Sequence, residues 1–314
     1  MNKEEWKMSL GFACKVAGAP IKTSDMRRPQ NQPHLKHSCR MMMEVLDYMH
    51  KHDLAMYRMP SEFCPYPTHP DYPELAWKGQ FKQASSKINE LRERLKAYPV
   101  RLSFHPSQFI LLSSPDNKIT RKSIMELRWQ AEMLDQLECG PEARVLLHLG
   151  GVYGEREKTK ARIIKNINKL PVAIKDRFAL ENDDVSWGAA DTLEVCQATD
   201  TPMIFDFHHH ACLNQGENWE HMLQAALATW PPGVKPKTHL SSPKLMARDE
   251  KNFQAGLVRA HSDYIDPWTF ARLMNRCQEL KLQPFDIMLE AKAKDLAVLR
   301  LREQVDSINY QTLP

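Results

Sequence analysis

With 314 residues, 42% of them hydrophobic, the chain can bury a large core, and its length fits one α/β barrel as well as two ordinary domains. Its net charge of +4 mildly favours a polyanionic partner but does not by itself point to one. The opening MNKEEWKMSLGFACK has no signal-like apolar run and no later stretch approaches the roughly 20 apolar residues of a membrane span, so a cytoplasmic protein with no membrane contact is expected.

Eight short apolar runs read as strands, in chain order MSLGFA (8–13), LAMYRMP (54–60), VRLSFHP (100–106), RVLLHLG (144–150), RFALEND (177–183), PMIFDFHHH (202–210), PKTHLSS (236–242) and FDIMLEA (285–291). Segments with helical apolar spacing lie between them, among them HSCRMMMEVLDYMHKH, QASSKINELRERLKAY, KSIMELRWQAEMLDQL and DPWTFARLMNRCQEL. This alternation predicts an α/β fold, a single (β/α)8 TIM barrel over residues 1–314. An open doubly wound sheet is the alternative, but it would gather its polar groups at one switch point, and no G-x-G-x-x-G follows a strand. Here nearly every run ends in His, Glu, Asp or Arg, which places an active site at the C-terminal ends of the strands. Seven cysteines (Cys14, Cys39, Cys64, Cys139, Cys196, Cys212, Cys277) form no C-x-x-C pair and read as reduced thiols.

The run ends provide Arg58, His105, His148, Glu181, Asp206 with His209, Lys237 with His239, and Glu290, and His261 follows in the seventh loop. A lone His at a strand end is usually a surface or supporting residue, but so many ionisable groups in one bowl would be costly to bury without metal. Imidazole mixed with carboxylate suits manganese, zinc or iron. Strand alternation keeps the three histidines of Asp206-Phe207-His208-His209-His210 from all facing inward, so His208 or His210 would orient a ligand instead. Lys237 is either neutral or carboxylated by carbon dioxide into a bridging anion, or it points away to neutralise a phosphate. His34, His37, His50, His52, His69 and His221 receive no role.

The motifs SLGFACK, YRMPSE, SFHPSQF, LHLGGVYG, LENDD, FDFHHH, KTHLSSPK, AHSDYID and MLEAKAKD, in that order, closely resemble those of the UV-damage endonucleases, whose fold is similar to endonuclease IV and to sugar-isomerase barrels. The resemblance implies a DNA-repair endonuclease that nicks damaged double-stranded DNA immediately 5′ to cyclobutane pyrimidine dimers and pyrimidine-pyrimidone photoproducts, with abasic sites as a further substrate. It implies His105, His148, Glu181, Asp206, His209, His239, His261 and Glu290 as ligands of two or three divalent ions, usually manganese, with zinc, cobalt or magnesium as alternatives. Lys237, Glu181 and Glu290 would be catalytic, and Gln108 and Phe109 would probe the bases as a wedge. Family members can carry Tyr at Phe109 and at Phe12, so an apolar role is expected of both. Lys15, Arg58 and Lys244 are expected on the DNA backbone.

A sugar isomerase or epimerase on the same barrel, and a damage-binding protein that keeps the metal residues only as structure, are the competing readings. A monomer, associated with the nucleoid while acting on DNA, is expected because a duplex needs open access to the barrel mouth.

Overall fold

The computed structural model describes residues 8–244 and 255–307. Among them eight strands alternate with helices: β1 (Leu10–Ala13), β2 (Met56–Met59), β3 (Arg101–Phe104), β4 (Arg144–His148), β5 (Phe178–Glu181), β6 (Met203–Ile204), β7 (Lys237–Leu240) and β8 (Asp286–Leu289). All pairings are parallel, in the order β6-β5-β4-β3-β2-β1-β8-β7. A parallel bridge between Asp206 and His239, with the His239 amide donating to the Phe205 carbonyl at 3.0 Å, joins the two ends into a barrel. The barrel is thereby nearly closed, and its strands bury both faces.

Successive strand residues point alternately into the barrel and out to the helices. Ala13, Met56 and Met288 pack inside, as do Leu146, Ala179 and Ile204 above Trp230. Phe12, Tyr57, Phe104 and Phe178 face the other way and join the core shared with the helix ring. At Gly11 any Cβ would stand 2.8 Å from the Met56 carbonyl oxygen, so only glycine lets β1 lie this close to β2. Below the apolar layer Arg101 and Asp286 form a buried pair at 2.8 Å, and Arg101 and Arg144 both lie over the Trp230 ring. This layer closes the end of the barrel remote from the strand C-termini.

The helices bury one stripe each. Leu35–Lys51 turns Leu35, Cys39, Met42, Leu46 and Met49 inward at three- and four-residue spacing. Asp116 and Asp266 cap Asn117–Gln136 and Pro267–Glu279 by accepting first-turn amides. The sixth run departs from expectation: only Met203–Ile204 is strand, and Asp206 accepts the His209 amide at 2.7 Å to cap a short helix, Phe207–Cys212. FHHH is therefore helical, and strand alternation does not govern its histidines. Among the described residues no helix is long and apolar enough to cross a membrane.

Candidate metal centre

The strand ends deliver their polar side chains to one bowl. His148 and Glu181 close β4 and β5, His105 and Glu290 follow β3 and β8 by one residue, and His239 lies within β7. An antiparallel bridge to Pro243 brings in His261. One helical turn, not strand pleat, sets Asp206 and His209 on the same side.

Glu181 sits at the centre. Its Oε2 lies 3.4 Å from His105 Nε2 and 4.0 Å from His148 Nε2, and its Oε1 lies 2.9 Å from His239 Nδ1 and 3.5 Å from His209 Nδ1. Glu290 stands 3.3 Å from His239 and 3.8 Å from His261 and pairs with the Arg58 guanidinium. Three sets have ligand atoms within 4.8 Å of one another: His105, His148 and Glu181; His209, His261 and Glu290; and Glu181, Asp206, His209 and Glu290. Shared members make them one continuous cluster.

Burial would push Glu181 toward its neutral form, but His239, His148 and His105 outweigh it and hold the carboxyl well below its ordinary range. Burial likewise opposes ionisation of Glu290, and Arg58 and His239 overcome it, so it too is held low. Burial lowers His209, yet Asp206, Glu181 and Glu290 drive it up to about 10, while burial keeps His105 below its usual value despite the pull of Glu181. Glu181 Oε2, Asp206 Oδ2 and His239 Nε2 are buried without a hydrogen-bond partner among the described residues. Orphaned acceptors of this kind are costly unless something cationic meets them. Imidazoles and carboxylates converging in one bowl fit divalent transition-metal ions.

Asn182 is a member of the site that residue type alone does not single out. Fully buried, it accepts the Asp206 amide at 2.9 Å, donates to the Asp206 carbonyl at 3.0 Å, and its own carbonyl takes His209 Nδ1 at 2.9 Å. It fixes the junction carrying Asp206 and leaves His209 Nε2 free. Its one signal in the sequence is its place directly after Glu181 in LENDD. His208 bonds the Arg259 carbonyl at 3.2 Å and His210 packs on Phe205, and neither belongs to the three sets.

Other expected residues divide. Gln108 and Phe109 stand exposed in the loop after β3, Phe109 with 74% of its surface free. Lys15 and Lys244 are exposed in the loops after β1 and β7. Phe12, expected at the damaged bases, is wholly buried against Tyr57, ring centroids 5.1 Å apart, because its strand position faces the helices; it cannot reach DNA. Arg58, expected on the backbone, is instead drawn inward by Glu290. Lys237 is at the first residue of β7, not its end, so it points into the barrel two residues below His239. It is buried, with no hydrogen-bond partner for Nζ among the described residues, and burial, with Arg101 and Arg58 nearby, holds its pKa well below the usual lysine value.

Fold and cluster together define a β/α-barrel protein whose strand C-termini converge imidazoles and carboxylates suited to metal. The chain belongs to the UV-endonuclease UvdE family, whose model matches residues 21–313. The UV DNA damage endonuclease of Bacillus cereus (strain B4264) is 35% identical over 288 residues, 90% of this chain and 86% of the relative. The crystal structure of SacUVDE superposes with a TM-score of 0.81 at 26% identity, covering 96% of this chain and 98% of that one. D-psicose 3-epimerase from Clostridium cellulolyticum H10 shares the fold alone, with 12% identity, a TM-score of 0.57, and coverage of 98% and 99%.

Proposed function

We propose that this endonuclease nicks double-stranded DNA immediately 5′ to UV photoproducts, both cyclobutane pyrimidine dimers and pyrimidine-pyrimidone photoproducts, and takes abasic sites as a further substrate. The observation that carries the reading is the buried cluster with its orphaned Glu181, Asp206 and His239 atoms, on the same barrel face as exposed Phe109. Fold alone would not separate a nuclease from an epimerase.

His105, His148, Glu181, Asp206, His209, His239, His261 and Glu290 would hold two or three divalent ions, manganese first, with zinc, cobalt or magnesium as alternatives. Such ions, when bound, supply Lewis-acid stabilisation of phosphate charge and lower the pKa of a water nucleophile. Glu181 and Glu290 stay ionised and offer their oxygens to the cluster, and Arg58 steadies Glu290. Phe109, with Gln108 beside it, would enter the stack where damage has weakened it, because unstacking costs least there. Lys15 and Lys244 would meet backbone phosphates.

Lys237, whose amine burial shifts toward the neutral form, would add carbon dioxide: a nitrogen–carbon bond forms, one proton leaves, and an anionic carbamate remains beside Arg101 and Arg58. Intact-mass measurement should find one added carbon dioxide that Lys237→Ala protein lacks; unmodified protein with full activity removes this part. The enzyme works as a monomer and as one catalytic domain, in the cytoplasm and on the nucleoid.

The decisive test is supercoiled plasmid, irradiated or intact, in manganese buffer. Nicking should be confined to irradiated plasmid and abolished by chelator and by Glu290→Ala. Folded, metal-loaded protein that leaves irradiated plasmid closed would overturn the reading and return weight to a sugar isomerase or a binding protein.

A further inference from the structure

The segment from Lys15 to Arg40, which runs from the end of β1 into the first turns of the helix Leu35–Lys51, carries six cationic side chains (Lys15, Lys22, Arg27, Arg28, Lys36, Arg40) and one carboxylate, Asp25. Its net +5 exceeds the chain's +4, so the other residues together net −1. Four of these cations, Lys15, Lys22, Arg27 and Arg28, lie in the βα connection itself, which by barrel topology is on the face of the metal centre. Charge of this kind, gathered on one face, is the footprint expected of a polyphosphate partner.

The connection is braced. Asp295, fully buried, accepts the Ala17 amide at 2.5 Å, the Gly18 amide at 3.0 Å and the Tyr48 hydroxyl at 2.6 Å. Further on, buried Asp25 takes Arg27 in a two-pronged pair, both distances 2.7 Å, and accepts the His34 amide at 3.0 Å, while Ser38 takes the Asp25 amide at 2.9 Å. Between these anchors lies a cavity of about 520 Å³ with Lys15, Lys22, Arg27 and His37 in its wall. Cations on a pre-ordered platform lose little freedom on binding.

At the bend next to Asp25, Met26 has 72% of its surface exposed. It borders both this basic cavity and a neighbouring one of about 680 Å³, into whose wall Phe109 projects. An unbranched apolar side chain beside a phosphate-binding surface is the type of group that enters a base step as a wedge.

We infer that residues 15–40 form a clamp for the duplex backbone, in which Lys15, Lys22 and Arg28 grip phosphates and Met26 is a second apolar probe beside Phe109. The clamp takes its ligand, duplex DNA, from the endonuclease reading, but it is tested without cleavage. Arg27 is left out of the grip because Asp25 already holds it.

The experiment is fluorescence-anisotropy titration of intact duplex in chelator over a series of salt concentrations. Full-length protein is compared with Lys15→Gln/Lys22→Gln/Arg28→Gln and with Lys51→Gln/Lys169→Gln/Lys281→Gln, whose exposed lysines lie at the opposite end of the barrel. The clamp variant should flatten the slope of log affinity against log salt by about 2 to 3, near one for each phosphate no longer gripped, and the control should leave it unchanged. Met26→Ser should keep the slope and lower the preference for irradiated over intact duplex. An unaltered slope in the clamp variant, or equal flattening in the control, overturns the clamp; an unaltered preference in Met26→Ser removes Met26 from it. These outcomes are independent of plasmid nicking, so the endonuclease reading and the clamp can fail separately.

Discussion

His209 carries the clearest pH signature of the site. Asp206, Glu181 and Glu290 raise it to about 10 from an unfolded value near 6.5, so without metal it holds a proton at neutral pH. This raised value stabilises metal-free protein fully below pH 6.5, and the contribution is lost as pH climbs through about 10. A metal ion that uses His209 must expel the proton, so manganese affinity should rise by up to about tenfold per pH unit between roughly 7 and 10. Calorimetric titration in buffers of different protonation enthalpy would count that proton, and pH-independent affinity without proton release would place the ion away from His209. The ligand types themselves are legible in the sequence, because His, Asp and Glu end apolar runs. Asn182 is not, since its contribution consists of bonds to a backbone 24 residues further on.

Among the elements, the same aromatic residue type has two fates. Phe12 faces the helices in β1, and Phe109 stands free in a loop. Phe12→Ala should destabilise the fold by about 3–5 kcal/mol in denaturant titration, with damage preference intact in whatever protein remains folded. Phe109→Ala should shift stability by less than about 0.5 kcal/mol while reducing the preference for irradiated DNA. The reverse pattern would exchange their roles. Strand existence can be read from apolar runs, but the direction of Phe12 cannot, because a barrel strand buries both faces and its sequence hardly alternates. The FHHH stretch reads as strand for a related reason: a six-residue helix held by the Asp206 cap is too short for periodicity to register.

Over the whole molecule, the buried carboxylates couple metal to stability. An ion that binds only the folded chain, at roughly a hundredfold excess over its Kd, should add about 2.7 kcal/mol. Thermal unfolding of metal-stripped protein should therefore begin lower than that of manganese-loaded protein, and the gap should vanish in Glu181→Gln. A gap that persisted in that variant would mean the ion stabilises some other part of the chain. Barrel closure underlies this coupling, because the Asp206–His239 bridge that joins β6 to β7 also seats Asp206, a member of the cluster, and His239, which contacts Glu181 and Glu290.

The eight β-α units, the collection of His, Asp and Glu at strand ends, and the family resemblance through motifs from Ser9 to Asp295 are all present in the chain before it folds. These are local properties, set by hydrophobic period and by residue type in short windows. Folding adds what no window contains: Arg58 turns inward to a glutamate 232 positions away, Lys237 lies below the bowl, and Phe12 is core. Each depends on which residues the closed barrel brings together across the ring, and distance along the chain does not encode that.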